Sequence, residues 1–129
     1  MTKPKFTIKD SGKRAKFASG MVRDTSEGKI RYRRCFDGPM FKRWAEHLSK
    51  GAIKYPDVSP GVANWTLAKS EVECQRFRES AVSHFIDWYY GKLDEDHAAA
   101  LFFNVNGLEY VKERLKRPRR KASKRWKKQ

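Results

Sequence analysis

The sequence predicts an all-α fold, a small bundle of three to four main helices with an irregular N-terminal arm and a basic C-terminal tail. Three observations carry this. Ser70-Glu71-Val72-Glu73 places a hydroxyl at a helix cap with a carboxylate three residues on, the pattern that satisfies the first free backbone N–H groups of a helix. The run it opens reaches about Tyr90 and stops at Gly91, a residue that accepts the left-handed conformation after a last turn. Asp94 then caps a further long run, with Glu95 and Asp96 in its first turn, where acidic groups complement the helix dipole.

Each element has a local reason. Residues 1–19 are Lys-rich and poor in apolar side chains, which predicts a flexible arm. Ile30–Arg34 alternates briefly and reads as a short extended piece. Asp37-Gly38-Pro39 announces a first helix, whose apolar face is Met40, Phe41, Trp44, Ala45 and Leu48. Gly51 is expected to end or loosen it, and residues 55–69, with Pro56 and Pro60, to form a loop. In the second helix Cys74, Phe77, Ala81, Phe85 and Trp88 make the expected buried stripe. In the third the stripe is Ala98, Leu101, Phe102, Val105, Leu108, Val111 and Leu115, with Gly107 allowing either close packing or a break. The link Gly91-Lys92-Leu93 is short enough to make these two helices antiparallel neighbours. The organisation read from the chain is therefore an arm over 1–19, a helical domain over 20–115 and a tail over 116–129.

The 129 residues carry a formal net charge of +15, unevenly spread. Residues 1–20 hold six Lys/Arg against one Asp, and residues 112–129 hold eleven against one Glu; residues 21–111 balance thirteen against thirteen. The middle is thus not a uniformly basic surface. The segment 112–129 has the composition of a chain that binds nucleic-acid phosphates through counterion release, with Trp126 available to stack. An apolar run of the roughly 20 residues that span a bilayer is missing, so a cytoplasmic protein is expected. Cys35 and Cys74 are not in a Cys-x-x-Cys pattern and are expected as reduced thiols.

Helical spacing sets several polar groups beside the apolar stripes: Glu46 and His47; Arg76, Glu79, Ser80, His84 and Asp87; Asp96, His97 and Asn104. Carboxylates converging from facing helices are hard oxygen ligands that suit Mg²⁺ or Mn²⁺, and these ions grip phosphate oxygens. Glu46, Glu79, Glu95 and Asp96 are the candidates, with Asp87 in reserve. Gly-x-Ser-x-Gly, Gly-x-x-x-x-Gly-Lys-Ser/Thr and Gly-x-Gly-x-x-Gly are all missing from the sequence.

Together, Gly20-Met21-Val22-Arg23-Asp24 with Gly28-Lys29, Glu46-His47 with Gly51-Ala52-Ile53-Lys54-Tyr55, Asn64-Trp65, Arg76-Phe77 with Glu79-Ser80-Ala81 and His84, Trp88, and Glu95-Asp96-His97-Ala98-Ala99-Ala100 with Phe103-Asn104 resemble a known domain. It is the N-terminal domain of dATP/dGTP diphosphohydrolases, found mainly in phage proteins, and the likeness spans about residues 20–110. The resemblance implies a MazG-like, all-α nucleotide pyrophosphohydrolase that cleaves a nucleoside triphosphate to monophosphate and pyrophosphate with Mg²⁺ or Mn²⁺. It implies Glu46, Glu79 and Asp96 as metal ligands and Glu95 as a base. Lys54 and Arg76 would meet phosphate, Trp65 would stack on the base, and Asn64, Asn104 and His84 would complete the nucleotide contacts. A homodimer is a further implication. The wider group's Glu-Glu-x-x-Glu and Glu-x-x-Asp patterns do not stand here: Val82 and Ala98 occupy the third positions after Glu79 and Glu95. The competing reading is a non-catalytic accessory protein that binds nucleic acid through its basic tail.

Overall fold

A computed structural model describes residues 5–116 and divides them into two compact units, one ending at Arg34 and one beginning at Cys35. The tail from residue 117 onward lies outside the described residues.

In the first unit the chain is paired where a flexible arm was expected. Strands β1 (Arg14–Lys16) and β2 (Val22–Asp24) form an antiparallel hairpin with Arg14 opposite Asp24. Gly20, at φ 92°, takes the left-handed turn between them. Asp24 ties the hairpin to the preceding segment: its carboxylate accepts from the Ser11 hydroxyl (2.6 Å) and from Arg14 (3.3 Å), while Arg14 also grips Asp10 (2.7 and 2.8 Å). Residues 20–24 therefore belong with the strand before them rather than with the helices. Tyr32–Phe36 is a 3₁₀ helix, not the extended piece expected at 30–34.

The second unit is built on α1 (Met40–Lys54), α2 (Glu71–Tyr89) and α3 (His97–Lys116), with α3 packed against both others. Helix α1 runs through Gly51. An interior glycine costs roughly 1 kcal/mol against alanine but removes no hydrogen bond, so the helix persists. It stops only where Pro56 forces Tyr55 out of helical geometry (φ −126°, ψ 86°). Residues 64–67 of the expected loop form a 3₁₀ turn, Asn64–Leu67, pinned to α3 by Arg114, which donates to the carbonyls of Thr66 (2.6 Å) and Ala68 (3.1 Å).

Helix α2 starts as expected. The Ser70 hydroxyl oxygen accepts from the Glu73 N–H (3.3 Å), and the Glu73 carboxylate reaches back to the Lys69 N–H (3.0 Å) and the Ser70 hydroxyl (2.7 Å). Replacing Ser70 with alanine is expected to cost about 1 kcal/mol, measurable by urea denaturation. The helix ends on Gly91 at φ 75°, with the Lys92 N–H donating to the Asp87 carbonyl (2.9 Å). Helix α3 is capped by Asp96 instead of Asp94: Asp96 Oδ1 accepts from the Ala99 N–H (3.0 Å), because the Asp94 carboxylate is engaged by His97.

The buried face of α3 is His97, Ala99, Ala100, Asn104, Gly107 and Val111, while Phe102, Val105 and Leu115, expected inside, are a little under half exposed. On α2 the inward face is Cys74, Phe77, Ala81 and His84, and Phe85 and Trp88 turn outward. The contact uses small residues. The Phe77 ring fills the space a Cβ would take at Gly107, and Cys74, Val111 and Ala68 form the core beside Phe77 and Leu108. Both cysteines are free thiols, Cys35 exposed and Cys74 buried.

Candidate active site

The C-terminal half of α1, residues 55–68, the start of α2 and the N-terminal half of α3 enclose a cavity of about 1100 Å³. Trp65, Phe77 and Phe103 supply its apolar wall, with the Trp65 ring edge-on to Phe103 at 5.8 Å and to Tyr110 at 5.1 Å. Arg43, Lys50, Lys54 and Arg76 supply cations, and Glu46, Asp57, Glu73, Glu95 and Asp96 supply carboxylates. Buried Asn104 donates its amide to the Ala100 carbonyl (2.8 Å), which leaves its oxygen as an acceptor.

Eight residues singled out from the sequence line this one cavity: Glu46, Lys54, Asn64, Trp65, Arg76, Glu95, Asp96 and Asn104. Glu79 and His84 are not among its lining residues. Glu79 accepts from Gln75 (3.3 Å) on an exposed face of α2, two positions from Phe77 and Ala81 and so turned away from the stripe they share.

The metal trio expected from the resemblance, Glu46, Glu79 and Asp96, is not brought around a common point. Besides the displacement of Glu79, Asp96 has lost its oxygens to other partners. Arg43 grips it with two bonds (2.9 and 2.5 Å) in addition to the Ala99 N–H. The guanidinium holds the Asp96 carboxyl down at about 2 despite an opposing effect of burial. Glu46 pairs with Lys42 (3.8 Å). The Arg43–Asp96 pair joins α1 to the start of α3 and is a brace rather than an open ligand. Since the folded carboxyl titrates below its usual 3.8, the pair's contribution is complete above about pH 4 and lost as the pH falls toward about 2. Arg43→Gln is expected to flatten that acid-side loss in thermal melts recorded at stepped pH.

Among the described residues, one group of side chains is close enough to hold a metal ion: His84, Glu95 and His97, with ligand atoms all within 4.8 Å of one another. His84 Nδ1 and His97 Nδ1 face each other at 2.9 Å, from α2 and α3. His97 is buried, and its Nε2 lies 2.7 Å from Asp94 Oδ1. With Nε2–H donating to that carboxylate, a neutral His97 would keep a lone pair on Nδ1 to accept from a His84 Nδ1–H. The His97 bond holds the Asp94 carboxyl below its ordinary range. Asp87 Oδ2 stands 3.9 Å from His97 Nδ1. His47, whose ring meets that of Phe103 at a tilt with 5.4 Å between centroids, is kept toward its neutral form, first by burial and then by the charge of His84.

His97 is the functional side chain that spacing did not assign. Its signal is the pairing of two histidines across a short antiparallel link, since the inward stripe of α2 meets the first turn of α3 there. Glu95 belongs both to this group and to the cavity wall. No family model, curated protein or solved structure matches the chain. Among the described residues, no helix is long and apolar enough to cross a membrane.

Proposed function

We propose that this chain is a metal-dependent nucleotide pyrophosphohydrolase of the phage dATP/dGTP diphosphohydrolase, MazG-like kind. The supporting observation is the position of Glu95, which lines a cavity of nucleotide size while standing within ligand distance of His84 and His97. The cavity's chemistry is that of a nucleoside triphosphate site. Lys54 and Arg76 neutralise phosphate oxygens, with Lys50 beside them. Trp65 and Phe103 give the base an apolar wall, and Asn64 and the free oxygen of Asn104 address its edge.

A divalent cation held by His84, Glu95 and His97 would supply charge neutralisation at the anhydride and a more acidic water. The chain's own residues then do the positioning. Water adds to the α-phosphorus, the bond to the bridging oxygen breaks, and pyrophosphate leaves with that electron pair. The water's proton passes to the Glu95 carboxylate, and the products are a nucleoside monophosphate and pyrophosphate. Asp96 takes no part as a ligand in this account; it keeps Arg43, and with it α1, in register with α3. A nucleotide substrate places the activity in the cytoplasm.

The test is incubation of the full chain with each dNTP and Mn²⁺ or Mg²⁺, with separation of the products. Monophosphate together with pyrophosphate is the expected outcome, weakened in Arg76→Gln. Release of orthophosphate, or intact triphosphate with every metal, contradicts the reading. The charge of residues 112–129 favours a second and separable property, sequence-independent nucleic-acid binding, which would be read as a steep loss of oligonucleotide affinity with salt.

A further inference from the structure

We infer that His84 Nδ1, His97 Nδ1 and Glu95 form a site for a transition-metal dication of the Zn²⁺, Co²⁺ or Mn²⁺ class rather than for Mg²⁺, with Asp94 as the positioning residue behind His97. The inference rests on the hydrolase reading for the metal's use, though not for its binding.

The two imidazoles come from different helices and meet nitrogen to nitrogen at 2.9 Å. Nitrogens each about 2.1 Å from one ion stand roughly 3.0–3.4 Å apart in octahedral or tetrahedral geometry, so an opening of about half an ångström or less admits an ion. His97 is 3 % exposed and cannot turn to water for a partner. Its remaining nitrogen is held by Asp94 at 2.7 Å, the carboxylate–imidazole arrangement that orients a metal-bound histidine and raises its basicity.

Charge points the same way. Glu95 as a ligand and Asp87 nearby, 3.9 Å from His97 Nδ1, bring two carboxylates to imidazoles that ligate metals in their neutral form, and a dication balances them. The donor types decide the class of ion. Imidazole suits zinc and its neighbours among the first-row metals, whereas Mg²⁺ asks for an octahedron of oxygens. Loading the site exchanges the His84–His97 hydrogen bond for two metal–nitrogen bonds, with the His84 proton moved to its Nε2, so the metal clamps the end of α2 to the start of α3.

The experiment uses the full chain stripped with a chelator and titrated with Co²⁺, read by its visible d–d absorption, and with Zn²⁺, Mn²⁺ and Mg²⁺ by calorimetry. One equivalent of Co²⁺ is expected, displaced by Zn²⁺, with Mg²⁺ bound at least about a hundredfold more weakly. Asp94→Asn is expected to lower Co²⁺ affinity about 10–100-fold with an unchanged circular dichroism spectrum, as is the loss of the partly exposed ligand in His84→Gln. Glu109→Gln, remote on α3, should change nothing. No Co²⁺ spectrum, Mg²⁺ preferred over Co²⁺, or affinity indifferent to Asp94→Asn and His84→Gln overturns the inference. Tight Co²⁺ binding without nucleotide turnover removes the hydrolase reading and leaves this site standing. Turnover with Mg²⁺ and no Co²⁺ spectrum does the reverse.

Discussion

Glu95→Gln is expected to lower nucleotide hydrolysis at saturating metal by about 10²–10³-fold, the usual cost of removing one group that acts on the charge developing in a transition state. The substitution keeps the side chain's shape and removes its charge. Glu95 is exposed and lies before the first turn of α3, so the fold has little to lose, and stability should stay within about 0.5 kcal/mol. A matched pair of measurements, turnover and urea denaturation on the same preparation, separates the two effects. Turnover that survives Glu95→Gln while stability is unchanged would move the chemistry elsewhere in the cavity.

Gly107→Val is expected to destabilise the helical unit by about 2–3 kcal/mol. A Cβ at this position would stand 2.7 and 2.8 Å from Cδ1 and Cζ of Phe77 and closer still to Cε1. Valine has a somewhat better helix propensity than glycine, so the loss measures packing rather than propensity. Phe77 is wedged between α2 and α3 and contacts Phe103 edge-on at 6.0 Å, so its ring cannot swing away without disturbing the cavity wall. In the double variant Gly107→Val/Phe77→Ala, the two costs should fall short of their sum, because the smaller side chain leaves room for the added one. Additive losses in urea denaturation would mean that the two residues do not share this space.

Where local chemistry decides the structure, the sequence was a sufficient guide. Ser70 and Glu73 make their cap, Gly91 takes the left-handed turn, and the short link after it brings α2 and α3 together antiparallel. The misreadings have a common cause, which is partnership over long separation. Hydropathy points to Phe102 and Val105 as the inner face of α3, yet close helix approach prefers Ala100, Asn104 and Gly107, and only the Phe77 ring across the interface reveals that preference. Asp96 looks like a free ligand until Arg43, 53 positions earlier, takes both its oxygens. The pairing of β1 with β2 depends on a side-chain web around Asp24 that a Lys-rich composition does not advertise.

The same distinction runs through the site. Lys54, Trp65, Arg76, Glu95 and Asn104, singled out from motif order and helical spacing, line the same cavity. The metal-capable group was only half visible, because His97 pairs with His84 through the geometry of a turn and is oriented by Asp94, which otherwise passes for a helix cap. Counting acids on helices favoured Glu79, whose place on the wheel turns it away from the stripe that carries Phe77 and Ala81.

A crystal structure of the full chain with Mn²⁺ and a nucleoside triphosphate analogue that resists cleavage between its α- and β-phosphorus tests the central claim most directly. Anomalous scattering should place the ion between His84, His97 and Glu95, with the triphosphate running toward Lys54 and Arg76 and the base against Trp65. A nucleotide held outside the cavity, or an ion remote from those three side chains, would contradict the account.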